Sequence, residues 1–245
     1  MTSLLLASAL LSPVALSLEM QQTPPGVTFF ESTVLSQRVR GVKVDLSTGR
    51  FKPTVAIARG GIGSSESFRS FVQRTNPVVT INGAYFDVGR KRPIGDIAVD
   101  GETLHSGRMG TAFGVKKDGT LTMQRVQRHR SVDWSEYQMV IACGPLLVSE
   151  GRKDVKFSEE GFQHPSVIGS TSRMGLGFDD SGTLYLVQVR SAVNFDQFAD
   201  VMLRLGCTYA MNLDSGASAA LFVRGRGFVQ SPGRELVSVF LIQDR

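Results

Sequence analysis

Apolar residues along this chain recur mostly with a period of two, in short runs rich in valine, isoleucine, leucine and phenylalanine. Such alternation marks half-buried β-strands, whose successive side chains face opposite sides of a sheet. It predicts strands at residues 27–30, 39–46, 54–58, 78–82, 96–99, 112–115, 121–125 and 139–143. A second set follows at 175–178, 184–189, 209–213, 220–223 and 236–242. Asp100-Gly101, Asp118-Gly119 and Asp180-Ser181-Gly182 punctuate them, because Asp and Gly accept the backbone of tight hairpin turns.

Two segments switch to helical spacing. Residues 65–74 place Phe68, Phe71 and Val72 on one face and stop before Asn76-Pro77, since a residue preceding proline is pushed out of the helical region. In residues 194–205, Asn194 is the N-cap, Gln197 occupies the capping-box position and Gly206 ends the helix. Phe195, Phe198, Val201, Met202 and Leu205 form its apolar stripe, which reads as core. This helix runs through Gly206 into the strand at 209–213, a β-helix-β arrangement. The pattern predicts an α+β fold: a single β-rich domain over 27–245, its sheet mostly antiparallel or mixed, with a few covering helices. With 245 residues, 42% of them hydrophobic, one large core is within reach. The 26 glycines and nine prolines are dispersed, without a linker or an internal repeat.

Charge changes the picture little. The net +5 comes from 27 basic and 22 acidic residues. The basic clusters, Arg90-Lys91-Arg92 and the run from Arg125 to Arg130, lack interleaved aromatics. They read as solvated loops rather than a nucleic-acid interface. Residues 4–16 are apolar and uncharged, too short to span a bilayer as a helix. One reading is a signal peptide over residues 1–17, with small residues near Ala15 for cleavage and no basic residue ahead of it. That reading exports the chain to the periplasm or the exterior. The other is a hydrophobic N-terminal segment of a cytoplasmic protein. No further stretch is a membrane candidate, and the sequence does not specify an oligomeric state. Cys143 and Cys207 are too few for a disulfide scaffold and have no metal-ligand spacing. Pairing with each other and burial as free thiols both stay open.

The candidate chemistry sits at two strand ends. The run 209–213 delivers Asn212 and Asp214 into Ser215, Gly216, Ala217 and Ser218. Small residues let a backbone turn sharply and let a ligand approach its N–H groups. The run 78–82 ends in Asn82 and Gly83, with Asp87 downstream. Two such ends, far apart in sequence, predict a composite active site. The plainer reading of Asp214 is a turn-former bonding its own backbone.

Five blocks occur in order: Ile81-Asn82-Gly83-Ala84-Tyr85-Phe86, Pro93-Ile94-Gly95, Cys143-Gly144-Pro145, Ser172-Arg173-Met174-Gly175, and Asn212-Leu213-Asp214-Ser215-Gly216-Ala217-Ser218. Together they resemble the phosphodiester glycosidase family over roughly residues 35–243. The family pattern reads Asn-Gly-Gly-Phe-Phe, Gly-Pro, Pro-Arg-Thr-Ala-Ile-Gly and Leu-Asp-Gly-Gly-Gly-Ser. This chain departs at Ala84, at Met174 and Gly175, and at Ser215 and Ala217.

The resemblance implies hydrolysis of a sugar-1-phosphodiester, releasing the sugar and leaving a phosphomonoester, with a sugar-phosphate or polysaccharide as substrate, in envelope or extracellular polysaccharide. Asp214 is the first choice for the carboxylate such chemistry needs at the anomeric carbon. Arg173, aligned on the family's arginine, is expected to grip phosphate in a bidentate fork; its plainer role is a structural ion pair. Asn82 and Asn212 are expected to orient substrate oxygens, and the N–H groups of Ser215, Gly216 and Ser218 to cradle an anion. Gly144, with Pro145, would shape the pocket wall, and Gly83 is a candidate substrate-binding residue. Asp87 and Asp96 are candidate second carboxylates, with capping or surface roles as the alternative. His164 is a candidate proton or hydrogen-bond donor, against the commoner structural histidine. Ser215 and Ser218 lack the base-and-orienter pattern of a serine hydrolase. No cofactor is required; Asn and Asp oxygens would suit calcium better than zinc. The rival from another class is a glycan-binding or polysaccharide-assembly protein with the same fold. A hydrolase acting on the P–O bond is the third reading.

Overall fold

The computed structural model describes residues 23–245, so the apolar run at 4–16 and its two readings lie outside the described residues. Within them, strand pairing is antiparallel throughout. The largest sheet orders Val27–Val34, Gln37–Asp45, Thr183–Val193, Thr171–Phe178, Tyr209–Leu213, Leu146–Ser149 and Arg152–Lys153. A second orders Leu121–Arg125, Thr111–Lys116, Tyr137–Cys143, Ile97–Val99 and Glu102–His105. The third orders Gly227–Gln230, Leu221–Val223, Val79–Asn82, Ser238–Asp244 and Phe51–Ile57. Each strand predicted from alternation forms, several of them longer than the pattern indicates.

The three sheets turn their apolar faces onto one core. Leu176, Leu186 and Met211 from the first, Ile141 from the second, and Ile81 from the third are fully buried there. At the junction the ring of Phe113 meets Phe178 at 5.9 Å and Phe240 at 5.8 Å, one aromatic from each sheet. Edge-on and tilted contacts of this kind add about 0.5–1.5 kcal/mol apiece beyond area burial.

The outer faces are covered separately. The helix Phe195–Leu205 lies on the first sheet, against Val187, Val189 and Ala210. The helix Phe68–Thr75 lies on the third, against Val239 and Leu241. Trp134 and Tyr137 close the second, ring to ring at 5.2 Å.

The capping signals act as read. Asn194 accepts from Gln197 N–H and the Gln197 side chain accepts from Asn194 N–H, while Gly206 ends the helix at φ 101°. The first helix starts at Phe68 rather than 65, because Ser67 caps it and Glu66 is engaged elsewhere. The Glu66 backbone exchanges hydrogen bonds with Leu236, and its carboxylate receives Arg59 N–H, Ser70 Oγ and Arg74 Nε.

The β-helix-β lead-in is a crossover. Thr183–Val193 and Tyr209–Leu213 each pair antiparallel to Thr171–Phe178, so they run parallel to each other with that strand between them. The connecting helix must pass over the middle strand, and glycine makes room. A Cβ on Gly175 would stand 2.6 Å from the Phe198 ring, and one on Gly177 would stand 2.8 Å from Cys207 Sγ. Gly175, one of the departures from the family pattern, is thus fixed by packing. Gly175→Ala should destabilise the fold by about 1–3 kcal/mol through overpacking. An unchanged urea midpoint for that variant would refute the close approach.

Candidate active site

The two strand ends meet, and Asn82 joins them. Its side chain is fully buried. Nδ2 donates to the Asp214 carbonyl at 2.6 Å, and Oδ1 accepts from Ala220 N–H at 3.1 Å. The Asp214 N–H donates in turn to the Gly83 carbonyl at 3.3 Å. One amide therefore grips both ends of the loop that carries the carboxylate. Asn82 braces this loop, and its donor and acceptor are occupied by backbone.

Asn212 and Gly144 support the same loop from behind. Gly144 N–H donates to the Asn212 carbonyl, and Asn212 N–H donates to the Pro145 carbonyl, both at 2.9 Å. Gly144 sits at φ 101° before a cis bond to Pro145, with no room for a Cβ beside Thr111 N. Gly83 is equally confined, since a Cβ there would be 2.4 Å from Ser238 Oγ.

In front lies a cavity of about 260 Å³. Asp214, Ser215, Gly216 and Ser218 line one side; Tyr85, Arg173 and Arg234 line it together with Val167 and Thr171. Burial pushes the Asp214 carboxyl up to about 6, against the pull of the Ser218 hydroxyl, the Ser215 N–H and the Arg234 cation. The Ser215 N–H lies 2.8 Å from Asp214 Oδ1. A carboxylate held near neutrality in a partly closed pocket is suited to proton transfer. Of the turn's N–H groups, that of Ser215 goes to Asp214 and that of Ser218 to the Ser215 carbonyl. The Ser215 hydroxyl receives Met174 N–H at 3.1 Å and donates to the Leu213 carbonyl at 2.9 Å. Where the family has glycine, this serine ties the turn to the neighbouring strand and leaves the cavity open.

Arg173 reaches the cavity but is 1% exposed, and three of its five N–H groups are on main-chain carbonyls. Nε donates to Val193 O at 3.2 Å, Nη1 to Val167 O at 3.0 Å, and Nη2 to Gly169 O. Its guanidinium lies 4.0 Å from the Phe195 ring centroid. Three N–H groups of the expected phosphate fork are held by main-chain carbonyls, so Arg173 clamps the cavity wall that it lines.

Besides Asn82, Gly83, Gly144 and Asn212, three more expected residues lie away from the lining. Asp96, 1% exposed, accepts from Gly107 N–H, Arg108 N–H and Trp134 Nε1, which uses it up as a loop anchor. Asp87 is exposed and accepts Arg90 N–H in a turn. His164 is exposed and caps the single-turn helix Pro165–Ile168 through Ser166, so it shapes the segment whose Val167 borders the cavity. Among the described residues, no three His, Cys, Asp or Glu side chains converge as a metal site would need. Cys143 and Cys207 are free, one in the central core and one under the crossover helix. Burial pushes both thiols up.

Tyr85 is the residue that the motif reading passed over. It is 8% exposed, and its hydroxyl oxygen accepts from Asn212 Nδ2 at 2.6 Å. Burial and the nearby Cys143 and Asp214 push its ionisation well above the ordinary phenol range. The hydroxyl therefore stays protonated, with its hydrogen left for an acceptor in the cavity. The available signal was a tyrosine where the family pattern has phenylalanine. Arg234 carried no signal at all, lying outside every recognised block.

Two outcomes test this geometry. Asn82→Ala strands a buried carbonyl and a buried N–H, at roughly 1–3 kcal/mol each, and the loss should appear in chemical denaturation. Asp214 binds its proton more tightly folded than unfolded, so its ionisation lowers stability as pH rises from about 4 through 6. Asp214→Asn should accordingly match the native protein near the ordinary carboxylate pKa. It should gain roughly 2 kcal/mol over the native protein above pH 6; a pH-independent difference in melting would contradict the burial argument.

The sequence profile of the phosphodiester glycosidase family matches residues 75–243. N-acetylglucosamine-1-phosphodiester alpha-N-acetylglucosaminidase of Bos taurus is 24% identical over 164 residues, covering 60% of this chain. The chain spans only 31% of that relative's length. Among solved structures, the zebrafish N-acetylglucosamine-1-phosphodiester alpha-N-acetylglucosaminidase catalytic domain, auto-inhibited by its pro-peptide, aligns with a TM-score of 0.69 at 21% identity. That alignment covers 89% of this chain and 82% of the zebrafish one. A hypothetical protein from Synechocystis aligns at 0.68 and 14% identity, over 90% of this chain and 62% of its own. These structural likenesses establish the fold.

Proposed function

Because the chain belongs to the phosphodiester glycosidase family, we propose that it hydrolyses the glycosidic bond of a sugar-1-phosphodiester. An N-acetylglucosamine-1-phosphodiester, as in the bovine relative's name, is the first substrate to try. The observation that carries the reading is Asp214, a carboxylate tuned by burial to about 6 at the wall of a cavity that also holds a neutral phenol and a cation.

The roles follow from the geometry. Asp214, ionised at neutral pH, faces the positive charge that develops at the anomeric carbon and accepts a proton from the attacking water. The new bond joins water oxygen to that carbon. The old carbon–oxygen bond breaks with its electron pair going to the phosphate. The phosphomonoester leaves as a weak base, so one carboxylate suffices where an ordinary glycoside needs a second as acid. Asp214 is the one carboxylate lining the cavity among the described residues. Tyr85 donates its hydrogen to a substrate oxygen, oriented by Asn212. Asn82 and Arg173 position the loop and the wall. No step is assigned to a metal ion. An envelope or extracellular polysaccharide setting belongs to the same proposal and is supported by the apolar N-terminal run in the sequence.

Asp214→Asn should lower kcat by about 10²–10⁴-fold while substrate binding persists. The native kcat/KM should rise with pH through about 6, as Asp214 ionises. Hydrolysis in oxygen-18 water should label the sugar. Label in the phosphate would move the reading to P–O cleavage, and glycan binding without cleavage of any sugar-1-phosphodiester would favour a binding protein.

A further inference from the structure

A second cavity, of about 390 Å³, adjoins the first, and the two share one lining residue, Arg234. Its floor is aromatic. Phe228 packs on Phe68 at 5.9 Å, and the Arg69 guanidinium stacks over Phe228 at 4.7 Å. Pro232 extends the apolar surface.

The frame is held at both ends. Gly233 N–H donates to the Ala217 carbonyl at 2.8 Å, joining this cavity's wall to the turn that carries Asp214. Glu66 and Leu236 exchange backbone hydrogen bonds at 2.8 and 2.9 Å, joining it to the base of the helix that supplies Phe68. The lining carboxylate, Glu235, is engaged by Ser65 Oγ at 2.7 Å. Arg234 makes no hydrogen bond or ion pair among the described residues, and its charge is felt at Asp214. Arg173, by contrast, has three of its five N–H groups on carbonyls and is buried.

A sugar-1-phosphodiester is ordered sugar, phosphate, alcohol. The protein presents, in the same order, a polar cavity with Asp214, a free cation and an aromatic-floored cavity. We propose that Arg234 binds the phosphate at the junction and that the second cavity takes the alcohol half of the diester, a group with a flat apolar face. This rests on the reading of the first cavity as a phosphodiester glycosidase site. An exposed guanidinium gains strength here because the second half of the ligand shields it from water, and aromatic floors favour flat or apolar partners.

The test uses product halves. Benzyl phosphate stands for the phosphomonoester product and inorganic phosphate for its head alone, each titrated into the whole chain by calorimetry or NMR. Benzyl phosphate should bind about tenfold or more tightly than inorganic phosphate, and Arg234→Ala should weaken both by about tenfold. Phe228→Leu, which keeps apolar bulk over Phe68, should remove the benzyl preference and leave inorganic phosphate unchanged. Equal affinity for the two ligands, or binding indifferent to Arg234→Ala, overturns the proposal. Hydrolysis separates it from the reading it rests on. If the binding pattern holds but no N-acetylglucosamine-1-phosphodiester is cleaved, the catalytic reading falls and the subsite stands. If benzyl and methyl diesters are cleaved with equal kcat/KM and Phe228→Leu alters neither, the subsite falls and the catalytic reading stands.

Discussion

The side-chain amide of Asn82 is the interaction on which the rest of the site depends. Asp214 lies 132 residues further along, on a loop that belongs to a different sheet's strand. A donor on one side of the amide and an acceptor on the other hold that loop at both ends, at Asp214 and at Ala220. Burial gives these bonds their weight, since a stranded polar group in the interior has no water to turn to. Asparagine alone among residues of its size offers both functions on one rigid plane, and the site uses both.

Behind this clamp, the electrostatics divide between two arginines. Arg173 is buried, stacked on Phe195 and bonded to three carbonyls, so its charge serves the wall and the order of residues 167–173. Arg234 is exposed and unengaged among the described residues, so its charge is available to a ligand. Asp214 sits between desolvation, which raises its proton affinity, and the hydroxyl, N–H and cation that lower it, with desolvation prevailing. Tyr85 complements it as a phenol that remains protonated. The pocket thus presents a carboxylate, a hydroxyl donor and a cation, with no ion pair among the described residues to neutralise them in advance.

Much of the fold was legible because the signals were local. Alternation located the long strands, and Asn194, Gln197 and Gly206 bounded the crossover helix almost to the residue. Short or exposed strands escaped. Arg152–Lys153 and Gly227–Gln230 carry no alternating apolar face, and Leu146–Ser149 is only four residues long after a proline. The start of the first helix was misplaced because Glu66 bonds to Leu236, a partner 170 residues distant that no local pattern announces. In the site, the motif turn was recognised, but roles were harder. Asp96 was drawn in by proximity to a motif, yet Trp134 and two backbone N–H groups take its oxygens.

By itself, the sequence determined the α+β class, the two strand ends that converge, the family, and Asp214 as the carboxylate at issue. These rest on periodicity, capping and short motifs, which act within a few residues. Only the tertiary structure decided which side chains face the cavity and which hold it up. It bonded Asn82 and Arg173 to the backbone groups that they brace, gave Tyr85 a place beside Asp214, and put Arg234 at the junction of two cavities. The reason is that a polar side chain's role is set by what else competes for its hydrogen bonds. Some of those competitors are near in sequence, as the carbonyls of Val167 and Gly169 are to Arg173, but the ones that fix the site are not: Tyr85 lies 127 residues from Asn212, and Asp214 lies 132 from Asn82.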